Sequence, residues 1–326
     1  MSENEGGTVT LTTNVTITSA SVSRISIYIN DYQAQNLLLS TGSNSYLIAA
    51  GLPSGVSNIS VQYAIEPLFN AHFSEQMYVQ FIGFTSGNNA TFIKPSKLTR
   101  RIDVIGDSIT AGSMYDKLEA VNGDLSLETG CAPWAPLYGY SQQFNWETYL
   151  CRYFRANCTT IAWSGGVLAL PSDCPGHASL SSKFPFTWAT DEEQIQPWDF
   201  SKTQQPDAVI IYLGTNDFSC KNMTDELFTE RYVTFMLNIT KYYASSPPTD
   251  TGKSIHFFCT VGVMSPTRPV AAVQAAIAQA TAAGLSASFL NMTNAHTDGC
   301  GFHPGPIGHW EMALQAAPQI KEELGW

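Results

Sequence analysis

A chain of 326 residues is longer than one hydrophobic core usually serves, because single cores stop growing near ~250–300 residues, so two domains are expected. An apolar fraction of 44% against 13% charged residues describes a globular protein with a large core. A formal charge of -11, with Lys and Arg scattered, argues against nucleic acid as a partner, and the longest weakly polar stretch, 270–285, is interrupted by Gln274 and Gln279 and too short to span a bilayer.

At the N-terminus, Met1 to Thr13 carries Glu3, Glu5 and a Gly pair where a secretory leader would have an apolar segment. From Thr8 to Lys94 the pattern has period two, with runs such as Thr8–Thr18, Arg24–Asn30, Val56–Tyr63 and Gln76–Phe84 separated by turn residues. That predicts a small antiparallel β-sandwich over residues 1–97, with nothing catalytic in it.

Around Lys94 to Arg101 the composition changes. From there short apolar runs at 102–105, 158–163, 207–213, 255–261 and 286–290 alternate with helical patterns, as expected of strands buried on both faces. The clearest helical pattern spaces Phe228, Tyr232, Phe235, Ile239 and Tyr242 by three and four residues behind a candidate N-cap, Thr224. A last helix begins after Pro306, aligns Ile307, Trp310, Leu314 and Ala317, and is expected to kink or end at Pro318. Residues 98–326 therefore read as a doubly wound α/β domain, whose working residues belong at the C-terminal ends of the strands.

The seven cysteines all follow residue 130 and no pair has Cys-x-x-Cys spacing. Up to three disulfides with one thiol left over is the expectation, with Cys259 as the unpaired, buried one. Together with seven Asn-x-Ser/Thr sequons this points to a secreted glycoprotein.

Three consecutive strands end in small polar residues. The first ends in Gly106-Asp107-Ser108-Ile109-Thr110, where a serine on a sharp turn before a helix is either an exposed nucleophile or a helix N-cap. The second ends in Ser164-Gly165-Gly166 and the third in Gly214-Thr215-Asn216-Asp217. A backbone N–H at Gly165 and the side-chain amide of Asn216 would join the N–H of Ser108 in stabilising an oxyanion. After the last strand come Asp298, Phe302-His303-Pro304 and His309. A serine hydroxyl needs a base, and His303 is the candidate, with His309 read as structural. His72, His177, His256 and His296 have no partner motif and default to core or surface roles.

Gly-Asp-Ser-Ile-Thr, the Ser-Gly pair, Gly-Thr-Asn-Asp and the late His-Pro, in that order, resemble the four signature blocks of SGNH (GDSL-type) hydrolases. The resemblance implies a flavodoxin-like parallel sheet, Ser108 as nucleophile, Gly165 and Asn216 completing the oxyanion hole, and His303 as base. A finer likeness is to carbohydrate esterase family two, carried by Arg100-Arg101-Ile102 leading into Gly106-Asp107-Ser108, Ile161-Ala162-Trp163-Ser164-Gly165, Trp198-Asp199-Phe200-Ser201 before Pro206-Asp207, and His303-Pro304 with His309. It implies a jelly-roll-type sandwich before the catalytic domain, and removal of acetyl groups from polysaccharides such as xylan and glucomannan. The sequence departs from the usual SGNH pattern in having Cys300, not Asp, three residues before His303. Either Asp298 orients the imidazole as a third catalytic residue or a backbone carbonyl does.

Asp107, Trp134 and Phe302 are the expected substrate contacts; Trp134 lies with Tyr138 and Tyr140 in a long segment without regular pattern, suited to stacking on sugar rings or to a disulfide-pinned surface loop. The expectation is thus a monomeric, secreted acetyl esterase acting on acetylated carbohydrate through an acyl-enzyme, with no metal and no cofactor. The alternatives are an SGNH lipase or thioesterase acting on longer acyl esters, and a carbohydrate-binding protein with a vestigial site.

Overall fold

The computed structural model describes residues 6–17, 23–30, 32–63, 77–87, 90–94, 96–113, 144–168, 174–175, 177–189, 194–249, 252–264 and 267–326. The chain divides into two compact units, Met1–Lys97 and Leu98–Trp326.

In the first unit, β1 (Gly7–Ile17) pairs antiparallel with β4 (Gly42–Leu52) and β6 (Met77–Gly87). A second antiparallel sheet is formed by β2 (Ser23–Ile29) between β3 (Tyr32–Leu39) and β5 (Ile59–Tyr63). Alternation along β1 turns Val9, Leu11 and Val15 inward, where they meet Ile25, Ile27, Leu39 and Ile48 in one apolar cluster between the sheets. The expected run from Val56 starts as a strand only at Ile59, and Val56 is exposed.

The second unit is built on five parallel strands: β7 (Arg100–Gly106), β8 (Ala156–Ala162), β11 (Ala208–Tyr212), β12 (His256–Thr260) and β13 (Ser286–Phe289). Their spatial order is β13-β12-β11-β7-β8. A small antiparallel pair, β9 (Phe186–Ala189) and β10 (Gln194–Pro197), lies outside this sheet.

The central strands are apolar on both faces because both are covered. Val209 and Ile211 face one cluster with Phe228, Tyr232 and Ala276, from α3 (Asp225–Tyr242) and α4 (Thr267–Ala282). Ala208, Ile210 and Tyr212 face another with Trp146, Leu150, Met312 and Ile320, from α1 (Trp146–Phe154) and α5 (Pro306–Leu324). A four-residue α2 (Leu180–Lys183) follows β8. The order of the strands makes this a flavodoxin-like doubly wound sheet, and the direction of winding reverses between β7 and β11.

Two expectations about α5 are corrected. Ile307, Trp310 and Leu314 are 57%, 49% and 52% exposed, and the buried stripe is instead His309, Met312, Ala313, Ala316, Ile320 and Leu324. The helix also runs through Pro318 to Leu324 and ends at Gly325 in the left-handed conformation. The proline withholds an N–H only from the carbonyl of Leu314, a residue on the exposed side where water can replace the donor, while the buried stripe continues on both sides of it.

Disulfides join Cys151 to Cys158 and Cys174 to Cys220, and Cys259 is a free, buried thiol. Burial pushes that thiol up to about 12, so it stays protonated and behaves as a small apolar side chain. Cys131 and the side chain of Cys300 lie outside the described residues.

Candidate active site

Ser108 follows β7, Asn216 follows β11 and Gly165 follows β8, so three of the expected site residues stand at the C-terminal edge of neighbouring strands, two of them flanking the reversal of winding. The turn after β7 depends on Gly106, where a Cβ would fall 2.0 Å from Thr110 Oγ1. Asp107 then caps the turn, its Oδ1 accepting the N–H of Ile109 at 3.0 Å. Over the described residues that follow Ser108, up to Ser113, the chain is turned by Ala111 N–H to Asp107 O at 2.9 Å and Ser113 N–H to Ser108 O at 2.9 Å.

His303 comes from the loop between β13 and α5 and is 8% exposed. Its Nε2 lies 2.8 Å from Ser108 Oγ, across a sequence separation of 195. Its Nδ1 lies 3.1 Å from the carbonyl oxygen of Gly301. A carbonyl can only accept, so Nδ1 carries the proton and Nε2 is left to accept the Ser108 hydroxyl. That is the tautomer a general base for Ser108 requires. Gly301 and Phe302 both have left-handed backbone, φ 56° and 64°, and this pair folds the Gly301 carbonyl back onto the imidazole of the next residue but one.

Beside the serine, the turn after β8 is tied to the turn after β7 by Trp163 N–H to Gly106 O at 3.1 Å. Gly165 has φ +70°, which favours glycine. Its carbonyl accepts Nδ1–H of His177 at 2.9 Å. The carbonyl of Gly166 accepts Nδ2 of Asn216 at 3.1 Å, so the amide of Asn216 is pinned to the same turn. Asp217, fully buried, accepts the N–H of Leu168 at 2.8 Å and binds the β11 turn to the β8 turn from beneath.

Residues 102–315 match the family described as GDSL-like Lipase/Acylhydrolase. The chain belongs to that family. Among solved structures, this GDSL-like hydrolase is similar in fold to a family two carbohydrate esterase from Clostridium thermocellum in complex with cellohexaose, at a TM-score of 0.74 and 21% identity over 99% of this chain and 91% of that one. It is also similar to an acetyl xylan esterase from the rumen bacterium Butyrivibrio proteoclasticus, at 0.77 and 17% over 99% and 89%. A family two carbohydrate esterase with a carbohydrate-binding domain, from Corynascus thermopiles (Myceliophthora fergusii), matches at 0.72 and 21% over 99% and 93%. Cellulase/esterase CelE of Acetivibrio thermocellus is 28% identical over 257 residues. That alignment takes in 76% of this chain, which spans only 28% of the length of that relative.

The other expected site residues of this GDSL-like hydrolase stand in different surroundings. Asp298 is engaged at the start of the last helix. Its carboxylate accepts the N–H groups of Gly305 at 2.9 Å, Gly308 at 2.9 Å and Ile307 at 3.1 Å, at the start of α5. Burial alone would raise its pKa, but the N–H groups of Gly308, Gly305 and Ile307 outweigh it and hold the carboxyl below its usual range. Asp107 is fully buried beneath the Ser108 turn, not presented to substrate. Burial pushes its carboxyl up to about 7 against hydrogen bonds from Ile109 and Thr215, and the charge of Asp217 adds to the rise. Phe302 is 78% exposed beside His303. Trp134 lies outside the described residues.

His309 is fully buried, and its Nδ1 accepts the N–H of Trp146 at 3.2 Å, at the first turn of α1. Burial lowers its pKa to about 3, so it is a neutral structural group. Sequence reasoning missed His177. It stands twelve residues after Gly165 with no motif around it, and only the fold brings its ring to that carbonyl. Among the described residues no group of His, Cys, Asp and Glu side chains is arranged to hold a metal ion.

Proposed function

We propose that the protein is a serine esterase that removes acetyl groups from O-acetylated carbohydrate, with residues 98–326 as the catalytic domain. The observation that carries this reading is the 2.8 Å contact between Ser108 Oγ and His303 Nε2 at the C-terminal edge of the sheet, with the turns of Gly165 and Asn216 beside it. Membership of the GDSL-like lipase/acylhydrolase family supports the reaction class. The substrate class is supported by relatives named as carbohydrate esterases and an acetyl xylan esterase.

In this reading Ser108 Oγ attacks the ester carbonyl carbon while His303 Nε2 takes its proton. The carbonyl oxygen becomes an oxyanion, held by the N–H groups of Ser108 and Gly165 and by the second Nδ2 hydrogen of Asn216, the first being given to Gly166. Collapse of the intermediate expels the sugar alkoxide, which takes the proton from His303, and leaves an acetyl group on Ser108. Water, deprotonated by the same nitrogen, then releases acetate and restores the serine. Gly301 orients the base and stabilises the imidazolium through its carbonyl dipole. Phe302, exposed beside His303, is placed to meet a sugar ring.

The disulfides Cys151–Cys158 and Cys174–Cys220 support a secreted protein, as does a substrate class of the cell exterior. The test is acetate release from a panel of acetylated xylan, glucomannan and cello-oligosaccharides by the wild type and by Ser108→Ala, with acetyl and octanoyl aryl esters compared alongside. Acetate release that vanishes in Ser108→Ala and a preference for the acetyl ester are expected. Equal release by both proteins, or a preference for octanoyl, would overturn the proposal.

A further inference from the structure

We propose that His177 is a positioning residue of the oxyanion hole, acting through the Gly165 carbonyl; the inference rests on the esterase reading above. A glycine at φ +70° has no side chain to hold it there and can rotate its flanking peptides at little cost. The N–H that Gly165 offers to an oxyanion is therefore only as well aimed as its surroundings make it. The two peptides that follow are each gripped at the carbonyl. The Gly165 carbonyl is bonded to His177 Nδ1–H at 2.9 Å, and the next carbonyl, Gly166, to Asn216 Nδ2 at 3.1 Å.

His177 is itself tied to the Asn216 turn by covalent structure. Its N–H bonds to Cys174 O at 3.2 Å, and the Cys174–Cys220 disulfide joins that segment to the short helical turn that begins after Asn216. Val167 N–H to Ala178 O at 2.9 Å and Leu180 N–H to Val167 O at 2.8 Å lace the same segment back onto the β8 turn. The two expected oxyanion donors that lie outside the Ser108 turn are thus braced against each other through His177 and one disulfide. A donor preorganised in this way stabilises charge in the transition state and does nothing for ground-state binding.

The geometry makes a specific demand on chemistry. Gly165 O can only accept, so position 177 must place a hydrogen where imidazole Nδ1–H stands. The side-chain amide of asparagine reaches that place, because its Nδ2 and the histidine Nδ1 are equally far from Cβ in bonds. Leucine has the same shape as asparagine and no donor. The experiment is therefore to compare His177→Asn and His177→Leu in the full chain, measuring kcat and KM on an aryl acetate, with far-UV circular dichroism and the melting temperature as folding controls.

His177→Leu is expected to lose about 10- to 100-fold in kcat with KM within about twofold, less than outright loss of an oxyanion donor. His177→Asn is expected to recover to within about threefold of wild type. Equal kcat in the two variants would overturn the inference, and so would a loss in His177→Leu carried by KM alone. If the wild type cleaves no ester at all, the esterase reading fails and this inference falls with it, an outcome distinct from an active wild type in which the two variants agree.

Discussion

The imidazole of His303 is oriented by the carbonyl of Gly301, 3.1 Å from Nδ1 and only two residues back in the same loop. The nearest acid in the sequence, Asp298, spends its carboxylate on three N–H groups at the start of α5. Asp298→Asn should therefore keep kcat within about threefold of wild type, against the ~10⁴-fold loss seen when an orienting aspartate is removed from a triad. Steady-state kinetics on an aryl acetate decide between the two roles.

The same replacement should cost stability, by about 1 kcal/mol, because it weakens a charged cap at a helix N-terminus. The sign with pH follows from the depressed carboxyl of Asp298. Its contribution is complete above the unfolded value of 3.8 and is lost as pH falls through the lower folded value. Urea unfolding at pH 6 and pH 3 should show the gap between wild type and Asp298→Asn closing at the acid end.

Asn216→Ala should fold normally and lose about 10²- to 10³-fold in turnover, the usual cost of one oxyanion donor. Unchanged turnover on an aryl acetate would remove Asn216 from the mechanism. Because its amide also holds the Gly166 carbonyl, Asn216→Asp, which offers an acceptor to an acceptor, should be the worse variant in both turnover and stability.

Glu147 is buried in the first turn of α1, and burial pushes its carboxyl up to about 8 against hydrogen bonds from Asn145 and Thr160. A raised carboxyl favours the folded state most below its unfolded value of 4.5, and that advantage is lost as pH rises toward about 8. Glu147→Gln cannot ionise. Its melting temperature relative to wild type should rise between pH 5 and pH 8, and a constant difference over that range would contradict the assignment.

Pro318 sits on the exposed side of α5, well inside the helix that runs from Pro306 to Leu324. Pro318→Ala restores a hydrogen bond to the Leu314 carbonyl and should raise stability by about 1–3 kcal/mol, with no change in esterase activity. Thermal unfolding and kinetics measured on one preparation check both halves.

The central strands β11 and β12 were legible because runs buried on two faces must be apolar nearly throughout. Thr224 likewise announces α3 by its chemistry, and its side chain accepts the N–H of Leu227 at 3.2 Å. The face of α5 was not legible. Ile307, Trp310 and Leu314 are as apolar as the residues that are buried, and only the position of the sheet decides that Met312, Ala316 and Ile320 point toward it.

Residue types and their order along the chain were enough to determine a doubly wound domain, a serine at the end of its first strand and a histidine after its last. Local chemistry dictates these features, since hydrophobic periodicity and turn residues act over a few positions. What orients the histidine, what Asp298 caps and what His177 grips were decided by tertiary structure alone. Each depends on where a backbone carbonyl or N–H points, and backbone groups are the same in every residue, so no letter of the sequence marks which one will be in reach.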